Sequence, residues 1–178
     1  IEEEYGFNAS VISGGSTNVF ANFICEHKPI LGVNQLRIGT AILLGISSSI
    51  GPRRIQGFHP DTFVLKAELI ELKERDRLLG ILSLGQLDTV HEFLFPLCPG
   101  VKVLRASSDH TLVDVTEMDP KPRVGDTLDF ELGYFSLMRL MASPYVKVEF
   151  QEFKSPPLSE VQRSPAPLET HDDKSEHR

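Results

Sequence analysis

Val11-Ile12-Ser13-Gly14-Gly15-Ser16-Thr17-Asn18 and Asn34-Gln35-Leu36-Arg37-Ile38-Gly39-Thr40 state one plan twice: a short apolar strand, a glycine, then a hydroxyl residue where a helix begins. In the first copy, residues 8–13 read as a strand with Val11 and Ile12 as its apolar members. Gly14-Gly15 turns the chain, and Ser16 or Thr17 can N-cap a helix over 18–24 because a side-chain oxygen there accepts a free backbone N–H. Pro29 stops that helix. In the second copy, residues 34–38 are the strand, Gly39 the turn, and Thr40 the cap of a helix over 41–44. Strands alternating with short helices predict a parallel sheet or barrel, here over residues 1–55.

Beyond residue 56 the pattern changes. Phe63, Leu65, Ala67, Leu69 and Glu71 alternate with Val64, Lys66, Glu68, Ile70 and Leu72, the period of a long strand with one drier face. Further strands are expected at 78–84, 101–106, 111–115, 127–132 and 146–150, divided by turns such as Cys98-Pro99-Gly100 and Val124-Gly125-Asp126. The mixed-sign run 71–77 reads as a solvated hairpin end, and 134–141 as a short helix with Leu137, Met138, Leu140 and Met141 on its apolar side. Short strands at this spacing predict a mostly antiparallel barrel or sandwich over 56–153. Residues 154–178 are rich in Ser, Pro, Glu and Lys and carry too few large apolar groups to offset ordering, so a disordered tail is expected there.

Bulk composition narrows the function classes. With 178 residues, 40% hydrophobic and 24% charged, the chain can bury an ordinary soluble core. A formal net charge of −7 disfavours nucleic acid as a partner, since phosphate binding needs clustered Lys and Arg. No run reaches the roughly 18 apolar residues of a membrane span, and Ile1-Glu2-Glu3-Glu4 lacks the basic and apolar regions of a signal peptide. Cys25 and Cys98 are far apart and outside any CxxC spacing, so two buried thiols in a reducing cytoplasm are expected rather than a disulfide or metal site.

The two strand-to-helix junctions could carry chemistry. Free N–H groups and the positive end of a helix dipole favour an anion, and junctions of neighbouring strands lie together at the C-terminal face of a β/α barrel, where phosphate sites form. Either junction alone is equally ordinary capping chemistry. Arg37 stands two residues before Gly39, so its guanidinium should enter the same mouth, to meet a phosphate, a carboxylate or a heteroaromatic nitrogen, or to make a salt bridge at the rim.

The stretches 11–18 and 33–45 together resemble the end of the barrel in the alanine-racemase-like, fold-type III pyridoxal-phosphate enzymes, and most nearly the ornithine-racemase branch. Residues 62–73, 106–115 and Ser143-Pro144-Tyr145-Val146-Lys147 support the resemblance, which covers roughly residues 5 to 150. It implies that this chain carries the last β/α units of a TIM-type barrel followed by the family's β domain. It further implies pyridoxal 5'-phosphate as cofactor, with Arg37 beside its pyridine nitrogen. Ser16 or Thr17, with the amides of Gly39 and Thr40, would hold the phosphate, and the hydroxyl of Tyr134 would reach it. The implied activity is L/D interconversion of an amino acid in a cytoplasmic head-to-tail homodimer, where the loop near Asp109 completes the partner's site.

Two departures qualify what carries over. Racemisation needs acid–base groups on both faces of the α-carbon, and Gln86 stands where alanine racemases place a tyrosine. Glutamine cannot titrate, so Asp88, Asp109 and His110 become the catalytic candidates, with surface-loop roles as the alternative, and ornithine or another basic amino acid is favoured over alanine. The Ser107-Ser108-Asp109 loop matches the family segment that meets the substrate carboxylate and amine. The family's cofactor-bearing lysine belongs to the first barrel strand, and no lysine here has that context; Lys28, before Pro29, reads as a loop residue. The chain is therefore expected to be part of a longer one. Outside the racemase reading stand a non-catalytic pyridoxal-phosphate carrier, disfavoured by the β domain, and a remnant β-domain interaction module.

Overall fold

A computed structural model describes residues 4, 6, 9–20, 32–47 and 53–152. The expected tail at 154–178, Cys25, Lys28, Pro29 and the far end of the first helix lie outside the described residues. The chain divides after His59 into two units.

In the first unit the expected strands reduce to a single parallel bridge, Ser13 to Gln35. Helix begins at residue 17, with the Ser16 carbonyl accepting the Phe20 amide at 3.1 Å. Helix α1 spans Thr40–Leu44. Thr40 does not cap it, as the sequence suggested: Gly39 is the N-cap residue, no side chain caps the end, and Thr40 is already the first helical residue. A first helical residue already has helical backbone angles, whereas the capping position is the non-helical residue before it. Ala41 and Ile55 form the unit's core with Phe20, Ile38 and Phe58 against them, Phe20 meeting Phe58 edge-to-face at 5.5 Å.

The second unit is a six-stranded antiparallel sheet: β1 (Val64–Glu74), β2 (Leu78–Leu82), β3 (Leu94–Pro96), β4 (Lys102–Ala106), β5 (Thr111–Asp114) and β6 (Thr127–Leu132). Their order is β3-β6-β1-β2-β5-β4. Edge strands β3 and β4 approach each other, so the sheet curls into a nearly closed barrel. A 3₁₀ turn, His91–Phe93, precedes β3, and helix α2 (Tyr134–Leu140) follows β6.

Strand β1 is long enough to serve two neighbours, pairing with β6 over its first half and β2 over its second. A bulge between Leu69 and Glu71 joins the halves. Because strand side chains alternate, one extra residue reverses the faces beyond it. Ala67 and Leu69 point inward, but past the bulge Leu72 takes the drier position and Glu71 is exposed, correcting the uninterrupted alternation expected from sequence. The inner faces meet in a core of Leu69, Leu82, Val113, Leu128 and Phe130.

Two further expectations change. Residues 146–150 pair with nothing among the described residues, and Phe150 is 96% exposed; their alternation alone, without a partner ladder, makes no strand. Strand β3 went unread because it is short and ends in proline. It is an edge strand, where a missing N–H costs no ladder bond.

Asp114, at the end of β5, is nearly buried and accepts the Thr116 amide at 2.9 Å, with the Arg77 guanidinium at 3.5 Å. Hydrogen bonds from Thr116, through side chain and backbone, hold its carboxyl below the usual aspartate range, and Arg77 and Lys102 add attraction. Stabilisation from this lowered group is complete above the ordinary range, near pH 4, and disappears as pH falls through its folded value. Asp114→Asn is expected to lower unfolding free energy at neutral pH by about 1 kcal/mol. Urea melts at pH 7 and pH 3 check this: the gap between variant and parent should narrow at the lower pH, and an equal gap at both would exclude the ionised carboxylate as its source.

Candidate cofactor and substrate sites

The first unit builds its mouth from backbone pairing. The Asn34 side chain clasps the preceding segment, accepting the Ile12 amide at 2.8 Å and donating to the Ser10 carbonyl at 2.9 Å. Gly14 N–H donates to Gln35 O at 2.9 Å and Arg37 N–H to Gly15 O at 2.8 Å. The two segments therefore run parallel, and both turns emerge at one end. Gly15, at φ +107°, adopts the left-handed backbone this turn needs. The 7%-exposed Thr17 hydroxyl accepts the Ala41 amide at 3.4 Å, tying the first turn to the start of α1.

That bond separates the candidates. Thr17 is spent on α1, whereas Ser16 is exposed at the same turn. Among the described residues, the amides of Gly39 and Thr40, the hydroxyls of Ser16 and Thr40 and the guanidinium of Arg37 have no partner. All are donors, and the donor set fits a phosphate. The Thr17–Ala41 bond thus brings the turn of Ser16 and Thr17 against that of Gly39 and Thr40, with Arg37 in the segment that leads to the second turn. Asn34, which holds the arrangement, escaped the sequence reading because a clasp across 22 residues leaves no local pattern.

The second unit brings the 85–88 turn, with Asp88, against the 107–110 loop, with Asp109 and His110, to form one rim. Gly85 packs so closely on the 107–110 loop that a Cβ there would lie 2.4 Å from Ser108 O and 2.5 Å from the Asp109 and His110 nitrogens. Gln86 N–H donates to Ser107 O at 2.9 Å and Leu87 N–H to Ser108 O at 3.0 Å. Asp109 and His110 are exposed beside them. Asp88 differs: its carboxylate accepts the Ser143 hydroxyl at 2.7 Å and the Gly85 amide at 3.4 Å, so both oxygens close turns. Tyr134 opens α2, its ring edge-on to Phe135 at 5.7 Å, and its hydroxyl has no hydrogen bond among the described residues. Among the described residues no group of three His, Cys, Asp or Glu side chains could hold a metal ion, and no helix is long and apolar enough to cross a membrane.

No family model matches the chain. It is 35% identical over 175 residues to the lysine racemase of Thermotoga maritima, a match covering 85% of this chain and 48% of that enzyme. It is 30% identical over 172 residues to the ornithine racemase of Acetoanaerobium sticklandii, covering 84% of this chain and 48% of that enzyme. The chain thus spans about half the length of the relatives it matches. Among solved structures, the D-threonine aldolase of Filomicrobium marinum shares the fold with a TM-score of 0.52 and 18% identity, over 74% of this chain and 35% of that one. With the β barrel of the second unit and the paired turns of the first, these matches make the chain a homologue, across about half their length, of the lysine and ornithine racemases.

Proposed function

We propose that the full-length protein is a pyridoxal-phosphate-dependent racemase of a basic amino acid, lysine or ornithine, built on a TIM-type barrel whose last units lie in residues 1–55. The observation that supports this reading is the parallel pairing of two turns, tied together by the Thr17–Ala41 bond, each carrying donors with no partner among the described residues. Ser16 with the amides of Gly39 and Thr40 would hold the phosphate. The Arg37 guanidinium would stand by the pyridine nitrogen and, by donating to it, keep it unprotonated. Tyr134 offers a free phenol for the role the resemblance gives it. The cofactor, when bound, supplies the electron withdrawal that makes the substrate's α-proton removable.

The hydrogen bonds of the rim support one choice among the groups that could move that proton. Gln86 cannot titrate, and Asp88 is occupied by Ser143 and Gly85. Asp109 and His110, exposed on the adjoining loop, are the remaining proton carriers of the three candidates. A head-to-tail homodimer in the cytoplasm, as in the resembling family, completes the proposal.

The test is chiral chromatography of L-lysine and L-ornithine incubated with the full-length protein and pyridoxal phosphate. D-enantiomer should accumulate from at least one of them, and none from either overturns the reading. Arg37→Ala is expected to lower kcat/KM by about 100-fold, the scale of losing one preorganised donor. An unchanged value would remove Arg37 from the site.

A further inference from the structure

Arg139 lies in the last turn of α2, where a cation would ordinarily serve the helix's own terminal carbonyls. Its guanidinium instead leaves the helix. Nη1 donates at 2.7 Å to the main-chain oxygen of Gln86, 53 residues away in sequence. That oxygen belongs to a rim residue whose amide, side chain and carbonyl are all bonded. The Gln86 amide is held by Ser107, its side-chain Nε2 donates to Ala106 O at 3.2 Å, and Arg139 takes the carbonyl. A neighbouring clamp uses a different side chain: Ser143, just beyond α2, donates through its hydroxyl to Asp88, while its amide donates to the Arg139 carbonyl at 3.0 Å.

A charge-assisted bond is about twice as strong as a neutral one, and a peptide polarised at its oxygen donates more strongly through its N–H groups. Arg139 draws on the Gln86 carbonyl, whose peptide N–H is that of Leu87 and is bonded to Ser108. The pull therefore passes directly into the bond joining the 85–88 turn to the loop that carries Asp109 and His110.

Building on the racemase reading, we infer that Arg139 is a positioning residue, which fixes the Gln86 turn and through it the 107–110 loop at the substrate rim. It touches neither substrate nor cofactor. Its removal should loosen substrate binding more than it slows turnover, because the bond it reinforces anchors Ser108, in the loop that the resemblance sets against the substrate carboxylate and amine, while Asp109 and His110 keep their own place in the chain.

The experiment uses the full-length protein with Arg139→Met and Arg139→Lys. Arg139→Met is expected to raise KM for the basic amino acid about tenfold while kcat stays within about threefold, the split expected when ground-state placement is lost. Arg139→Lys, which keeps a cationic donor, should recover most of that loss. Amide hydrogen exchange read on the same variants should show the Leu87 amide losing about tenfold protection in Arg139→Met, with β1 and β6 unchanged. Unchanged KM, or a loss of protection throughout the barrel, overturns the inference. If the parent protein does not racemise at all, the functional reading fails by itself, and exchange at Leu87 still decides whether Arg139 positions the turn.

Discussion

Phe130→Ala is expected to destabilise the β barrel by about 3–5 kcal/mol, the range for truncating a fully buried aromatic ring. Phe130 is the largest of the side chains with essentially no exposure. It sits on β6, the strand that joins the long β1 to the short edge β3, opposite Leu65 on one side and Pro96 on the other. No local flexibility offers relief, because both neighbours are fixed by backbone ladders, so the vacated volume stays largely empty. Against a total stability of typically about 5–15 kcal/mol, such a loss leaves the domain near its folding midpoint. Urea denaturation read by circular dichroism measures it. Phe130→Leu, which conserves most of the volume, should cost less than about 1.5 kcal/mol. Phe150→Ala, altering a side chain that is 96% exposed, should stay within about 0.5 kcal/mol of the parent. A loss below 1 kcal/mol for Phe130→Ala would mean that β6 does not line the core.

The same contrast explains what the sequence could disclose. Period-two alternation is written residue by residue, so β1, β2, β4, β5 and β6 were all legible close to their observed bounds. The bulge in β1 was not, because an inserted residue is defined by its partners on β2, and Leu72 and Glu71 exchange faces only once that pairing exists. Residues 146–150 show the converse: an alternating run is no strand unless it joins a ladder. At the mouth of the first unit, glycine and hydroxyl residues marked the turns. Which hydroxyl is buried was settled by the Ala41 amide, a group of the other turn. Asp88 followed the same rule. Its type suggested a base, while Ser143, 55 residues away, makes it a clamp. Residue types announce candidate chemistry, and long-range partners decide which candidates are free to perform it.

Gly85→Ala should have an effect second only to the loss of Phe130, and for the opposite reason. At most positions a single added methyl displaces the soft end of a side chain. Gly80 is such a case, since its Cβ would meet side-chain rather than main-chain atoms, Leu69 Cδ2 at 2.5 Å and Val113 Cγ2 at 3.1 Å. At Gly85 the obstacles are the Ser108 carbonyl and the Asp109 and His110 amides, all main chain. Relief requires the 85–88 turn and the 107–110 loop to separate, which breaks the Gln86–Ser107 and Leu87–Ser108 bonds. The expected cost is about 3 kcal/mol, the upper end for overpacking a rigid site, against about 1 kcal/mol for Gly80→Ala. Thermal melts of the two variants side by side measure the difference. Function should separate them further: Gly80→Ala, lying within the sheet, leaves the rim intact, while Gly85→Ala removes the support of Asp109 and His110 together. A Gly85→Ala protein that melts with its parent would show that the two loops do not touch, and the rim on which Gln86, Asp109 and His110 are assembled would not exist.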